Sequence, residues 1–195
     1  MKHEWNVFGT LKFQPMRKMD GPQAHVLLRH FWNKLDRVIY GTATKRGCRL
    51  VRWCFAHEGS QNDNFHLHFV ADSPIELDLY CCLANTVWTK LDRATAGVWK
   101  NYITPVVHRD RAADYVIKEF WKKSSDSFDV NLTCSNPNTF INSPESRAAQ
   151  VQRVAHAMSD NELRAAQAAL AMHKVHTAQN LALRDRKQSS KATCK

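Results

Sequence analysis

Glycine and proline are scarce, six of each in 195 residues, so a collagen-like, linker-like or low-complexity chain is excluded. No apolar run approaches the eighteen or so residues that a membrane-spanning helix needs, and no secretory leader is read at the start. The six cysteines, Cys48, Cys54, Cys81, Cys82, Cys134 and Cys194, show no C-x-x-C spacing. They are expected to be reduced thiols in a cytosolic or nuclear protein, not a zinc cluster. There is no G-x-x-x-x-G-K-[ST] phosphate loop, so no P-loop motor is expected, and no internal repeat. Acidic residues are in the minority, 18 against 28 Lys and Arg, which leaves a net charge of +10. That is the sign expected of a surface that meets phosphates.

What is present begins with Phe65-His66-Leu67-His68-Phe69-Val70. Side chains alternate across a strand, so His66 and His68 share one face while Phe65, Leu67 and Phe69 point to a core. Two neutral imidazoles and a carboxylate make a three-ligand site for a divalent ion. The carboxylate favoured here is Glu58, near the end of the preceding strand, with His57 beside it on the opposite pleat. A regular strand lets only one of these two face the metal.

Around this motif the elements read in order. Trp5, Val7, Leu11 and Phe13 give a first strand over 5–13. Asp20-Gly21-Pro22 opens a helix over about 22–40, a loop covers 41–47, and a strand runs over 49–57. The polar stretch 59–64 joins it to the histidine strand. Ser73-Pro74-Ile75-Glu76 reads as a capping box opening an amphipathic helix through Leu77, Cys81, Ala84, Trp88 and Leu91. A fourth strand is expected over 98–107 and a third helix is capped by Asp110. On that helix Arg111, Tyr115, Lys118 and Lys122 share a face, which places a nucleophile beside a cation that can balance developing charge. The order predicts an α+β fold, a ferredoxin-like split βαβ with a central antiparallel sheet and added helices. Residues 128–134 suggest a further strand and 136–143 a loop. From Ser143-Pro144 an alanine-rich helical tail follows, strongest over 160–183 with Leu163, Ala166, Leu170, Ala171 and Val175 near one face, before a basic end. Two units result, 1–135 and the loop and tail 136–195.

Three segments in register resemble the HUH endonucleases, and within them the single-tyrosine rolling-circle replication initiator (Rep) proteins. Phe8-Gly9-Thr10-Leu11-Lys12-Phe13 is similar to the family's first motif. Glu58-Gly59 followed by 65–70 is similar to its histidine-hydrophobic-histidine motif, and Tyr115-Val116-Ile117-Lys118 to its tyrosine motif. The resemblance spans roughly residues 5–123. It implies an HUH endonuclease fold and nicking of single-stranded or hairpin origin DNA with Mg2+ or Mn2+ held by Glu58, His66 and His68. Tyr115 would become linked to the 5′ phosphate and free a 3′ hydroxyl, Lys118 would balance charge, and the strand would later be rejoined. The chain carries a tail where eukaryotic-virus relatives carry a helicase domain, which implies a phage or plasmid initiator that borrows a host helicase and polymerase. The compartment implied is bacterial cytoplasm, or the host nucleus for a eukaryotic virus. Other readings are a single-tyrosine HUH transposase, a metal-dependent hydrolase using the histidine pair, and a non-catalytic single-stranded nucleic-acid-binding module stacking bases on Trp5, Phe8, Trp53 and Phe55.

Overall fold

The structure, a computed structural model, describes residues 5–15, 17, 19–57, 65–107, 128–135 and 144–192. Among them four strands and four α-helices make an α+β fold: β1 Val7–Lys12, α1 Gly21–Tyr40, a 3-10 helix Gly41–Arg46, β2 Val51–His57, β3 His66–Asp72, α2 Leu77–Thr89, β4 Tyr102–Pro105, α3 Pro144–Ala157 and α4 Asp160–Ala192. The strand order is β2-β3-β1-β4 and every neighbouring pair is antiparallel. Each strand-helix-strand crossover therefore skips one position, which a strand of the other unit fills. No described helix is long and apolar enough to cross a membrane. The expected third helix and the 59–64 and 136–143 loops lie outside the described residues.

Helix α1 starts where the sequence predicts, with the Asp20 carboxylate accepting from the Gln23 amide at 2.8 Å. It buries Leu28, Phe31, Trp32, Leu35 and Ile39 against the sheet. Its last carbonyls are capped from α3, where Arg153 donates to Val38 and Ile39 at 3.0 and 2.9 Å. A buried ion pair ties α1 to β2: Arg52 reaches both Asp36 oxygens at 3.2 Å while the Leu50 amide donates to Asp36 at 2.8 Å. The Arg52 guanidinium also lies 4.5 Å over the Trp32 ring, so its charge is matched on two sides. Burial pushes the Asp36 carboxyl above the usual carboxylate range, against the pull of Arg52, the Leu50 amide and Arg49.

Several local expectations are corrected. Helix α2 is capped by Glu76, whose oxygens accept from Asp78 and Leu79 at 3.0 and 2.7 Å, while Ser73 turns in upon Ile75. The capping box is at Ser159-Asp160-Asn161-Glu162, where Glu162 accepts from the Ser159 amide at 2.8 Å. Helix α2 is not amphipathic: Tyr80 through Trp88 are all buried, because the sheet and α1 cover one side and α4 the other. The 41–47 loop is the 3-10 helix, and the fourth strand is short because 98–100 turn before it. Residues 128–134 make two isolated bridges to the edge of β2, Phe55 with Phe128 and Arg52 with Cys134. The tail is built into the same core, to which it contributes Val154, Met158, Ala166 and Leu170, whereas Val175 is exposed.

On the helix-covered face Gly9 pairs with Phe69, and an added Cβ at Gly9 would come within 2.2 Å of the Phe69 ring. That ring is fully buried and stands edge-on to Trp32 at 5.1 Å, so it has nowhere to move. Only glycine allows this approach. Gly9→Ala should lower stability by about 1–3 kcal/mol through overpacking, read as a fall in Tm on thermal denaturation.

Candidate functional site

The opposite face of the sheet carries the candidate residues, and register alone lays them out in rows. His57 of β2 stands opposite His66 of β3, which stands opposite Lys12 of β1. The next row is Phe55, His68, Thr10 and Tyr102, and the row beyond it is Trp53, Val70, Phe8 and Thr104. Three imidazoles gather at the open end: ring centroids lie 5.3 Å apart for His57 and His66, 4.9 Å for His57 and His68, and 4.8 Å for His66 and His68. His57 and His68 are buried and His66 is half-buried. His66 and His68 thus share a face, as their spacing requires.

Thr10 gives the first motif a physical role. Its hydroxyl is 2.9 Å from His68 Nδ1, a buried hydrogen bond that leaves Nε2 as the ring atom suited to an ion. Leu11, its neighbour, points into the main core. Phe8 stacks on the His68 ring at 5.8 Å and 25°, and Tyr102 stands edge-on to Phe8 at 6.1 Å. The end of β1 is held from the far side, where Asn101 accepts from the Lys12 amide and Trp88 donates to the Lys12 carbonyl at 3.2 and 2.9 Å.

Glu58, Tyr115 and Lys118 lie outside the described residues, so of the expected site the structure brings together His66 and His68 and adds His57. In donor type the three rings suit a divalent ion. As they stand, no group of three or more His, Cys, Asp or Glu among the described residues is arranged to hold one. Of the expected ligand set of Glu58, His66 and His68, the three gathered imidazoles include two members.

Toward β2 the face is closed by a small aromatic cluster in which Trp5, Val51, Phe55 and Val70 are buried and Phe8, Trp53 and Phe128 are partly so. Trp5 precedes β1 and packs at 5.0 Å on Trp53, on the face opposite to that expected from its parity with Val7. Of the four aromatic residues expected to stack on bases, Phe8 and Trp53 keep some exposure and Trp5 and Phe55 do not.

The residues that sequence reasoning missed come from the tail and from β4. His173 of α4 packs on the Tyr102 ring at 4.9 Å, and the Tyr102 and Thr177 hydroxyls are hydrogen-bonded. The signal in the sequence was spacing: Leu163, Ala166, Leu170, His173 and Thr177 follow one another by three and four, the last two polar on a core-facing stripe.

The His173 imidazole is held below its ordinary 6.5, first by burial and then by the neighbouring positive charges of His176 and Lys12. Acidification protonates the unfolded chain before the folded one, so this group's effect on stability is nil well above the unfolded pKa and becomes increasingly unfavourable below it. Unfolding free energy should therefore fall more steeply from about pH 7 to about pH 5.5 in the natural protein than in His173→Leu, measured by urea titration at each pH. Against protein-family models, curated proteins and solved structures the chain shows no match, and the reading of this face rests on its own residues.

Proposed function

We propose that this protein is a metal-dependent DNA-nicking endonuclease and strand transferase of the HUH type, a replication-associated protein acting on single-stranded or hairpin origin DNA. The observation that carries this reading is the gathering of His57, His66 and His68 on the sheet face turned away from α1, with Thr10 bonded to one of them. The strand order β2-β3-β1-β4 suits the ferredoxin-like split βαβ sheet of that family. The excess of ten positive charges suits a polyanionic substrate.

In this reading Tyr115 attacks the scissile phosphorus with its phenol oxygen. The bond from phosphorus to the 3′ oxygen breaks, the phenol proton is in effect handed to that oxygen, and the 5′ phosphate stays on the tyrosine. Reversal by a 3′ hydroxyl rejoins the strand. A divalent ion, Mg2+ or Mn2+, bound by His66, His68 and either Glu58 or His57, supplies charge withdrawal from the phosphate. Thr10 holds the His68 ring at Nδ1, and Lys118 balances the charge that develops on the phosphate oxygens. A host helicase and polymerase would act on the opened strand.

A second reading is a non-catalytic module that binds single strands, favoured by the partly exposed Phe8 and Trp53 on the same face as the histidines. A single-tyrosine transposase of the HUH group shares the chemistry of the first.

Incubation with single-stranded hairpin DNA and Mn2+ should give a denaturation-resistant protein-DNA adduct that Tyr115→Phe abolishes. His66→Ala and His68→Ala should each lower nicking about 100-fold or more while keeping most salt-dependent binding. Comparing Glu58→Ala with His57→Ala in the same assay identifies the third ligand. Binding without any adduct would leave the module reading, and undiminished nicking by either histidine variant would refute the metal assignment.

A further inference from the structure

We propose that α4 forms a wall of the candidate site, and that His173 and Thr177, acting through Tyr102 and Phe8, set the orientation of His68. The functional weight of this relay rests on the reading above; its geometry does not. Helix α4 buries an apolar stripe of Leu163, Ala166 and Leu170 against α2, and the same stripe continues to His173 and Thr177 where it reaches β4. His173 is only 6% exposed, and its Nδ1 has no hydrogen-bond partner among the described residues. Burying an imidazole with a nitrogen unsatisfied is unfavourable, and leucine would pack this stripe without that cost. The position is therefore not explained by core packing.

What His173 does touch is Tyr102, whose ring lies 4.9 Å away at 46°. Thr177 donates its hydroxyl proton to the His173 carbonyl at 2.8 Å, so in its bond with Tyr102 the phenol is the donor. The Tyr102 hydroxyl is thereby committed, which argues against its serving as the attacking group on this face. Held between α4 and the sheet, the Tyr102 ring presses its neighbour Phe8, and Phe8 stacks on His68. Thr10 holds His68 at Nδ1 while Phe8 sets the plane of its ring. The relay from the tail thus acts on the histidine that the sheet also holds through Thr10. His173 and Thr177 are positioning residues: nothing in this arrangement requires either to touch DNA.

The experiment uses the full chain with isotope-labelled histidine, free of DNA and metal, and follows the His68 ring nitrogens by NMR together with Tm. Tyr102→Leu, His173→Leu and the milder Thr177→Val should each displace the His68 ring signals, and Mn2+ affinity should fall about tenfold in the first two. Lys174→Ala, which removes the α4 anchor to Asp78 at 2.6 Å, should leave His68 unmoved even if Tm falls. Loss of Tm in the relay variants with unchanged His68 signals would overturn the proposal and reduce α4 to a structural cover. If the natural protein neither binds Mn2+ nor nicks, the nuclease reading fails, while the ring signals still decide for or against the relay.

Discussion

The close approach of the Phe69 ring to Gly9 is the contact on which the rest of the molecule depends. It sits at the centre of the sheet, between the two middle strands, and couples their register to the helix layer through Trp32. A slip of one residue between β1 and β3 would turn every side chain of one strand to the other face. Thr10 would then no longer meet His68, and Leu67 and Phe69 would leave the core. One missing Cβ on the packed face thus keeps the hydrogen bond on the other face in place.

The two faces divide the work. The helix-covered face buries large apolar side chains and a matched Asp36-Arg52 pair, giving a rigid support. The other is left for polar residues and a thin aromatic layer, so three imidazoles can sit side by side without a hydrophobic residue replacing them. Sites carried on strands are held more tightly than sites carried on loops, because the ladder on both sides fixes each Cα.

The tail changes meaning once packing is considered. A helix as apolar all round as α2 must be covered on both sides, and Cys81-Cys82, two adjacent buried residues, cannot both face the sheet. Helix α4 supplies the second cover and is fastened in its first turn by Lys90 to Glu162 and near its middle by Lys174 to Asp78. These exposed pairs contribute little stability. The same helix that completes the core therefore borders the imidazole face.

Local periodicity was enough to find β1, α1, β2, β3 and the long last helix, and to put His66 and His68 on one face, since these depend only on the repeat of two or of 3.6 residues. Thr10 stood out only through the resemblance of residues 8–13 to a family motif. Local spacing misjudged the start of α2, because Ser73 and Glu76 have the spacing of a capping box and only the path of the chain decides which residue caps. The nearness of His57 to the pair could not be read along the chain: the residue count places His57 and Glu58 on opposite pleats, and the cross-strand partner is set by the pairing of β2 with β3. His173 and Tyr102, 71 positions apart, meet only because α4 packs on α2 and passes β4. Spacing along the chain determines which side chains share a face; which faces meet is decided by the core that forms between them.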